Sequence, residues 1–166
     1  MALKPEEIDF VRVPLFGGHY SIIDKEDAEL VLTMNWWRYA SPATYYAISS
    51  KYLGDYKNTT IRLHRFILGA KEGEVVDHKN GNGLDNRRRN LRICTQKQNL
   101  WNSRKRPGTS SRFKGVAFDK ERHSWIVRVG DSHIGRFANE LVAATEYDKA
   151  VLKLRGEYAV TNFGRP

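Results

Sequence analysis

The apolar residues of this chain come in short runs, and turn residues interrupt every run. From Val11 to Ile61 the runs VRVPLF, HYSIID, WWRYA and YYAISSKYL are separated by Gly, Ser, Pro and Asp. Aromatic and β-branched runs of this length are typical of strands and hairpins. No run approaches the ~18 apolar residues of a membrane span. The pattern therefore predicts an α+β chain with small sheets, a few short helices and no membrane partner.

One short helix is predicted inside this N-terminal β-rich region. Residues 25–34 place Ala28, Val31 and Leu32 on one helical face, and Asp24 precedes them as a candidate N-cap. Aromatic side chains in a small sheet usually pack in the core, and a base-stacking surface is the alternative. We expect the core for the aromatic residues of the following runs: Trp36, Trp37, Tyr39, Tyr45 and Tyr46.

The central segment predicts a short helix, a strand, a long polar loop, a second strand and a helix. Residues 63–68 form the first helix before Gly69, and Val75 and Val76 form a strand that leads into Asp77 and His78. The dipeptides at 80–81 and 82–83 are Asn-Gly turns, so the chain reverses just after the histidine. Residues 91–94 form the second strand, and Thr95 caps the helix that carries Asn99.

Asp77, His78 and Asn99 have the chemistry of a phosphodiester hydrolase site. The helix can return beside the first strand, so that oxygens of Asp77 and Asn99 bind one hard divalent cation such as magnesium. A neutral His78 can then take a proton from the attacking water. The alternative is a loop of ordinary turn-forming Asx residues that hydrogen bond the histidine. A turn does not need an Asp-His pair at a strand end, so the joint pattern favours the site.

The segments VDHKNGN, LDNRRRNLRICT and TQKQNLWN resemble the H-N-H nucleases with a ββα-metal fold, in the variant with Asn at the third motif position. The resemblance implies that Asp77 and Asn99 bind one Mg²⁺ or Mn²⁺ and that His78 is the general base. It also implies that Asn90 hydrogen bonds the loop backbone and so holds His78 in its orientation. The metal would stabilise the transition state and the leaving 3′ oxygen, giving 5′-phosphate and 3′-hydroxyl ends. No organic cofactor is expected.

The tripeptide LHR at 63–65 also resembles phage members of this family. We interpret Arg65 as a phosphate-binding residue. For His64 the sequence leaves its role open.

The C-terminal segment predicts three strands and one helix. The strands are FKGVAF, SWIVRVG and HIGRF. They precede an amphipathic helix, for which Asn139 is a candidate N-cap and Gly156 a candidate C-cap. The apolar positions of this helix are Ala143, Ala144, Tyr147, Ala150, Val151 and Leu154. In SWIVRV, alternation places Trp125, Val127 and Val129 on one face and Ile126 and Arg128 on the other. We expect the first face to pack on the helix and the second to be exposed.

This segment is similar to the apetala-type domain of plant ethylene-response factors, from the GV near its start to the final TNF. The resemblance implies a sheet that enters the major groove, with Lys114, Arg128 and His133 facing DNA. Arg122 and Arg136 are added on charge alone. Base preference does not transfer, because residues of the plant DNA face are replaced here by Ala117, Asp119 and His133.

The excess of positive over negative charge lies in one stretch of the chain. The 166 residues carry a net charge of +9, but the stretch between Asp85 and Asp119 has ten basic residues and no acidic one. Such a stretch predicts contact with DNA phosphates. The predicted contacts are those of the catalytic loop and strand, Arg87, Arg88, Arg89 and Arg92, and those of the linker, Arg104, Lys105, Arg106 and Arg112.

These features predict four segments: a β-rich region at 1–62, the H-N-H motif at 63–102, a basic linker at 103–112 and a DNA-binding domain at 113–166. The predicted function is a homing endonuclease of phage or intron type that acts on double-stranded DNA as a monomer, with a dimer as the alternative. A catalytically inactive DNA-binding regulator and an RNA-binding module are the competing hypotheses. The start lacks a secretory signal and Cys94 is the single cysteine, so the cytoplasm is expected.

Overall fold

The computed structural model describes residues 9–55, 57–103, 105 and 107–164. The chain divides into two compact units, Met1–Thr95 and Gln96–Pro166. Each unit has its own hydrophobic core and small antiparallel sheets. The predicted α+β class is confirmed. Within the described residues no helix is long and apolar enough to cross a membrane.

Within its described residues the first unit contains two two-stranded sheets, one three-stranded sheet and two short α-helices. Their order along the chain is β1 (Val11–Leu15), β2 (His19–Ile23), a 3₁₀ turn (Lys25–Asp27), α1 (Ala28–Val31), β3 (Trp37–Ala40), β4 (Tyr45–Gly54), β5 (Lys57–Arg62), α2 (Leu63–Leu68), β6 (Val75–His78) and β7 (Leu91–Cys94). All sheet pairs are antiparallel: β1 with β2, β3 with β4, β4 with β5, and β6 with β7.

The core of this unit collects buried residues from nearly every element. Val13, Ile23, Val31, Ala47 and Leu63 are fully buried within it. The predicted helix at 63–68 is confirmed, and it ends where Gly69 adopts the left-handed conformation at φ 59°. Because α2 starts directly after β5, its buried face is fixed against the same core that supports β6 and β7.

Two predictions for this unit are wrong. The helix predicted for 25–34 is a 3₁₀ turn followed by one turn of α-helix, and Asp24 makes no capping hydrogen bond. Its carboxylate instead accepts the backbone N–H of Arg88, 2.7 Å away. The prediction that the aromatic residues pack in the core is confirmed for Trp36. It is wrong for three others, since Trp37, Tyr39 and Tyr45 are 40%, 51% and 45% exposed.

The second unit is a three-stranded sheet packed on one long helix. Its elements are α3 (Gln96–Trp101), β8 (Val116–Asp119), β9 (Ser124–Val129), β10 (Ser132–Phe137), α4 (Glu140–Arg155) and a 3₁₀ turn (Gly156–Tyr158). The strand order is β10-β9-β8, antiparallel throughout. This is the architecture predicted from the strand and helix patterns.

The predicted cap and helix face of this unit are also confirmed. The Asn139 side chain accepts the backbone N–H groups of Leu141 and Val142. Val127, Tyr147 and Val151 are buried in the core between sheet and helix. Trp125 is half-buried and packs against this core. Leu154 differs from the prediction, because it is about half exposed near the end of α4.

Candidate functional site

The end of β6 holds the Asp-His pair that the sequence singled out. Both side chains are buried, each residue being 5% exposed. Strand pairing sets Asp77 opposite Arg92 and His78 opposite Leu91 on β7. Successive residues of a strand point to opposite faces, so the two side chains leave the ribbon on different sides.

Asp77 forms a buried ion pair across the ribbon. Its Oδ2 accepts hydrogen bonds from Nε and one terminal nitrogen of Arg92, at 2.9 and 2.7 Å. The Arg92 side chain is 9% exposed. A buried carboxylate needs such compensation, because desolvation of an isolated charge is costly. Arg92 therefore fixes the orientation of the Asp77 side chain next to the histidine.

His78 lies in a cluster of rings and one amide. Its ring centroid is 4.9 Å from that of His64, edge to face, and 5.8 Å from that of Tyr46. Its Nε2 is 3.1 Å from Oδ1 of Asn86. Burial lowers the pKa of His78, although Asn86, Asp77 and Asp85 act in the opposite direction. The ring is therefore neutral near pH 7 and able to accept a proton.

His64 is a second buried histidine beside the first. Burial lowers the pKa of His64 to about 3, and the nearby His78, Arg62 and Arg65 act in the same direction. Among the described residues its Nδ1 has no hydrogen-bond partner. A histidine that stays neutral adds no charge beside His78, so His64 acts there as a packed ring.

Asn90 ties together the loop that joins β6 to β7. Its Oδ1 accepts the backbone N–H of Asn80 at 3.0 Å, and its Nδ2 donates to Asn80 Oδ1 at 3.0 Å and to the Asp85 carbonyl at 2.7 Å. The backbone N–H of Lys79 also donates to the Asn90 carbonyl at 2.8 Å. These bonds link the start of the loop to its end, immediately after His78.

Asp85 strengthens the same loop from the other side. Its carboxylate accepts Asn80 Nδ2 at 2.9 Å and forms a two-point ion pair with Arg87, at 2.8 and 2.7 Å. Burial disfavours the charge of Asp85, but the hydrogen bonds and charge of Arg87 outweigh it and lower the pKa of this carboxyl. The loop therefore keeps its acidic group ionised and internally paired.

The predicted metal ligands fall in different units. Asp77 belongs to the first unit, and Asn99 lies half-buried on α3 in the second. Their donor atoms, a carboxylate oxygen and an amide oxygen, are hard oxygen donors that suit a magnesium-like cation. The donor chemistry fits a divalent metal, and joint binding by both residues stays a prediction.

The predicted DNA contacts of the first unit are mostly engaged with the protein itself. Arg65 donates to the carbonyls of Lys71 and Glu74. Arg87 and Arg92 pair with Asp85 and Asp77, and Arg88 pairs with Asp27 and Glu26. Arg89 is exposed. A guanidinium has five N–H donors, and the ion pairs of the exposed Arg88 use only part of them, so this arginine can still bind a phosphate.

The second unit exposes part of its predicted DNA-binding set. Arg128 on β9 and His133 on β10 are exposed and directly opposite each other on the face away from α4. Arg136 is exposed and forms an ion pair with Asp119. Arg112 and Arg122 are exposed as well.

Lys105 and Lys114 have protein partners. The amine of Lys105 donates to Thr109, and that of Lys114 donates to the carbonyls of Trp101 and Ser103. Burial, together with Arg155, lowers the pKa of Lys114 to about 8. The predictions for Arg104 and Arg106 lie outside the described residues.

Sequence reasoning missed two residues that contact this site. Asn86 bonds His78, and Ser21 on β2 bonds Asn86 in turn. Asn86 lies within the segment LDNRRRNLRICT, but no spacing rule distinguishes it from the other asparagines of the loop. No local pattern marks Ser21, which lies 65 residues away from its partner.

A buried Asp-His pair on a strand end, with an asparagine-closed loop behind it, is the arrangement of an H-N-H nuclease centre. The family model described as HNH endonuclease matches residues 64–100. An uncharacterized HNH endonuclease, L560 of Acanthamoeba polyphaga mimivirus, is 33% identical over 140 residues, which cover 79% of this chain and 73% of that protein. The chain belongs to the HNH endonuclease family and is a DNA endonuclease.

Two further relatives resemble different parts of the chain. DNA endonuclease I-HmuI of Bacillus phage SP01 is 31% identical over 96 residues, 55% of each chain. The AP2-like ethylene-responsive transcription factor AIL7 of Arabidopsis thaliana is 41% identical over 60 residues, 32% of this chain and 12% of the plant protein. No solved structure matches the chain. HNH nucleases generally use a divalent metal.

Proposed function

We propose that this endonuclease is of the homing type and hydrolyses phosphodiester bonds of double-stranded DNA with His78 as general base and one divalent cation. The supporting observation is the buried His78, neutral near pH 7 and fixed through Nε2 on a strand end beside Asp77. A neutral imidazole in a fixed orientation can take a proton from water as the water attacks phosphorus. Asn90 keeps the loop closed behind it.

Asp77 and Asn99 are the proposed ligands for Mg²⁺ or Mn²⁺. When bound, such a cation supplies Lewis-acid stabilisation of the charge that develops on the phosphate and on the leaving oxygen. Asp77 contributes a carboxylate group whose orientation is fixed by the ion pair with Arg92. Asn99 contributes a neutral oxygen, which keeps the ligand set weakly charged.

The second unit is proposed to position the enzyme on DNA. The exposed pair Arg128 and His133 lies on a face of the sheet that α4 leaves uncovered. A small sheet with basic side chains on its open face can read base edges and phosphates in the major groove. The likeness to a plant transcription factor over 60 residues supports this proposal. Arg112 and Arg122, exposed in the same unit, are proposed phosphate contacts.

Cleavage of supercoiled plasmid with Mg²⁺ or Mn²⁺ tests the catalytic part. The wild-type protein should convert the plasmid to nicked circles, because a monomer with one catalytic centre cuts one strand at a time. His78→Ala should lose cleavage, whereas His19→Ala, which changes an exposed histidine on β2, should not. Salt-sensitive DNA binding without cleavage would instead support the inactive regulator, and direct linear product would support a dimer.

Competition binding tests the DNA-reading part. Arg128→Gln should weaken preference for the bound site over random duplex, because it removes a donor from the open sheet face. Lys153→Gln, on an exposed position of α4, is the matched control and should leave the preference unchanged. Equal loss in both variants would contradict groove reading by this face.

A further inference from the structure

The N-terminal hairpin is joined directly to the catalytic loop. The backbone N–H of Ile22 donates to the Leu84 carbonyl at 2.9 Å, and the N–H of Asn86 donates to the Ile22 carbonyl at 2.8 Å. Ile22 and Asp85 form a parallel bridge. Strand β2 thus extends the loop segment that faces His78, and the hairpin fixes that segment from outside the H-N-H motif.

A fully buried pair of side chains runs from β2 to the histidine. Ser21 and Asn86 both have no exposed surface. The Ser21 hydroxyl donates to the Leu84 carbonyl at 2.8 Å, and Asn86 Nδ2 donates to Ser21 Oγ at 2.7 Å. The other end of the same amide, Oδ1, is 3.1 Å from His78 Nε2.

The partners of Asn86 determine which way its amide points. A hydroxyl has one hydrogen, and Ser21 uses it on a carbonyl, so Ser21 Oγ must accept from the amide. The Gly83 carbonyl, 3.4 Å from Asn86 Nδ2, is also an acceptor without a hydrogen. Both contacts require the NH₂ group, and a flipped amide would set oxygen against oxygen. Asn86 therefore presents its oxygen to His78.

The orientation of Asn86 in turn determines the tautomer of His78. An amide oxygen is an acceptor only, so Nε2 must carry the proton that it receives. A neutral imidazole has a single ring proton, which leaves the lone pair on Nδ1. The side chains of Ser21 and Asn86 thus select one of the two neutral forms of the histidine.

We propose that Asn86, oriented by Ser21, is a positioning residue that holds His78 as the Nε2–H tautomer, so that Nδ1 is the nitrogen that takes the proton from water. This rests on the proposed function, in which His78 is the general base. The hairpin β1-β2 then belongs to the catalytic unit. After proton transfer the Nε2–H bond to Asn86 persists, because a neutral amide does not accept the proton itself.

Long-range ¹H–¹⁵N correlation spectra of the ¹⁵N-labelled full chain measure the tautomer directly. The spectra are recorded with chelator at a pH where His78 is neutral, and His78→Ala assigns the signals. Wild type should show a protonated Nε2 and an unprotonated Nδ1. The opposite pattern would overturn the proposal even if His78→Ala is inactive. Cleavage that survives in His78→Ala would refute the proposed function and leave the tautomer result intact.

Two variants test the role in catalysis of the pair Ser21 and Asn86, which we call the relay. Asn86→Leu keeps the volume but removes the acceptor, so we expect a mixed tautomer and a kcat lower by ~10–100-fold, with the KM for DNA changed less than about 2-fold. Ser21→Ala releases the amide with less perturbation and should give a smaller change of the same kind. Asn58→Leu, on an exposed position of β5, is the matched control. A wild-type tautomer and kcat in both relay variants would overturn the proposal, and the wild-type spectrum tests it even if Asn86→Leu fails to fold.

Discussion

Gly83 lies in the loop that joins β6 to β7, at a place where this loop packs against β4. A Cβ at this position would lie 2.3 Å from the Tyr45 carbonyl oxygen and 2.8 Å from two ring carbons of Tyr46. The same Tyr46 ring contacts both His64 and His78. Gly83→Ala therefore adds one methyl group between the loop and the sheet that supports the histidine cluster.

The cost of this methyl group follows from the distances. Carbon contacts are optimal at ~3.5–4.0 Å, so the loop must retreat from a backbone oxygen by roughly 1 Å. Overpacking of this kind typically costs ~1–3 kcal/mol, and a backbone atom yields less readily than a side chain, so we expect about 3 kcal/mol. A 1 Å misplacement of a catalytic group can cost about 100-fold in rate. We expect a cleavage rate lower by at least about 10-fold.

Urea unfolding by circular dichroism, with chelator, measures the free energy, and plasmid nicking measures the rate. Gly73→Ala is the matched control: Gly73 has φ +82°, and a Cβ there has no neighbour within 4 Å. Its cost should be the conformational one alone, ~1 kcal/mol, with normal cleavage. The reasoning is refuted if Gly83→Ala is no less stable than Gly73→Ala.

Three further outcomes are expected. The pKa of His64 is lowered to about 3, so between pH 6.5 and 3 the unfolded chain binds a proton that the folded chain does not, and the free energy of unfolding falls with falling pH. In urea titrations between pH 6 and 4, His64→Leu should reduce the slope of this free energy against pH by ~1.4 kcal/mol per pH unit. Parallel slopes for wild type and variant would contradict this prediction. Gly115→Ala should destabilise the second unit by ~2–4 kcal/mol in thermal unfolding, because its Cβ would lie 2.0 Å from a ring carbon of the buried Tyr147. Gly108→Ala, where a Cβ has no neighbour within 4 Å, is the control and should cost ~1 kcal/mol. Equal losses of stability in the two variants would argue against this packing of Gly115 on Tyr147. In DNA-binding titrations at several salt concentrations, Arg89→Ala should reduce the slope of the logarithm of the DNA-binding constant against the logarithm of salt concentration by ~0.9. Arg88→Ala removes ion pairs with two acidic residues, so it should lower the stability of the fold more than it changes this slope. The reverse result would show that Arg88 is the phosphate contact.

The candidate catalytic residues could be found from the sequence because their signals are local. Asp77 and His78 end a short apolar strand before Asn-Gly turns, and Asn90 precedes the next strand, so one loop contains the pattern. The C-terminal sheet and helix followed from alternation and from the cap at Asn139. These elements depend on neighbours within a few residues, which periodicity describes well.

The rest depends on contacts that no local pattern encodes. Trp37 and Tyr39 have strong strand propensity, but propensity does not say which face of a sheet is covered. The family resemblance implied that Lys114 faces DNA, yet its amine donates to two carbonyls of its own unit. Ser21 and Asn86 meet only after the chain has folded back over 65 residues.

The hydrogen bonds between β2 and the loop that joins β6 to β7 also bear on the order in which this protein can fold. These hydrogen bonds join residues 62 to 65 positions apart, so loop-closure entropy must be overcome before they form. Contacts of such separation tend to slow folding, so we expect the ring of His78 to become fixed late in folding. During synthesis the site cannot assemble until Asn86 has left the ribosome with the whole hairpin already available. The segment that the family model matches, 64–100, therefore does not include β2, whose Ser21 contacts Asn86 beside His78.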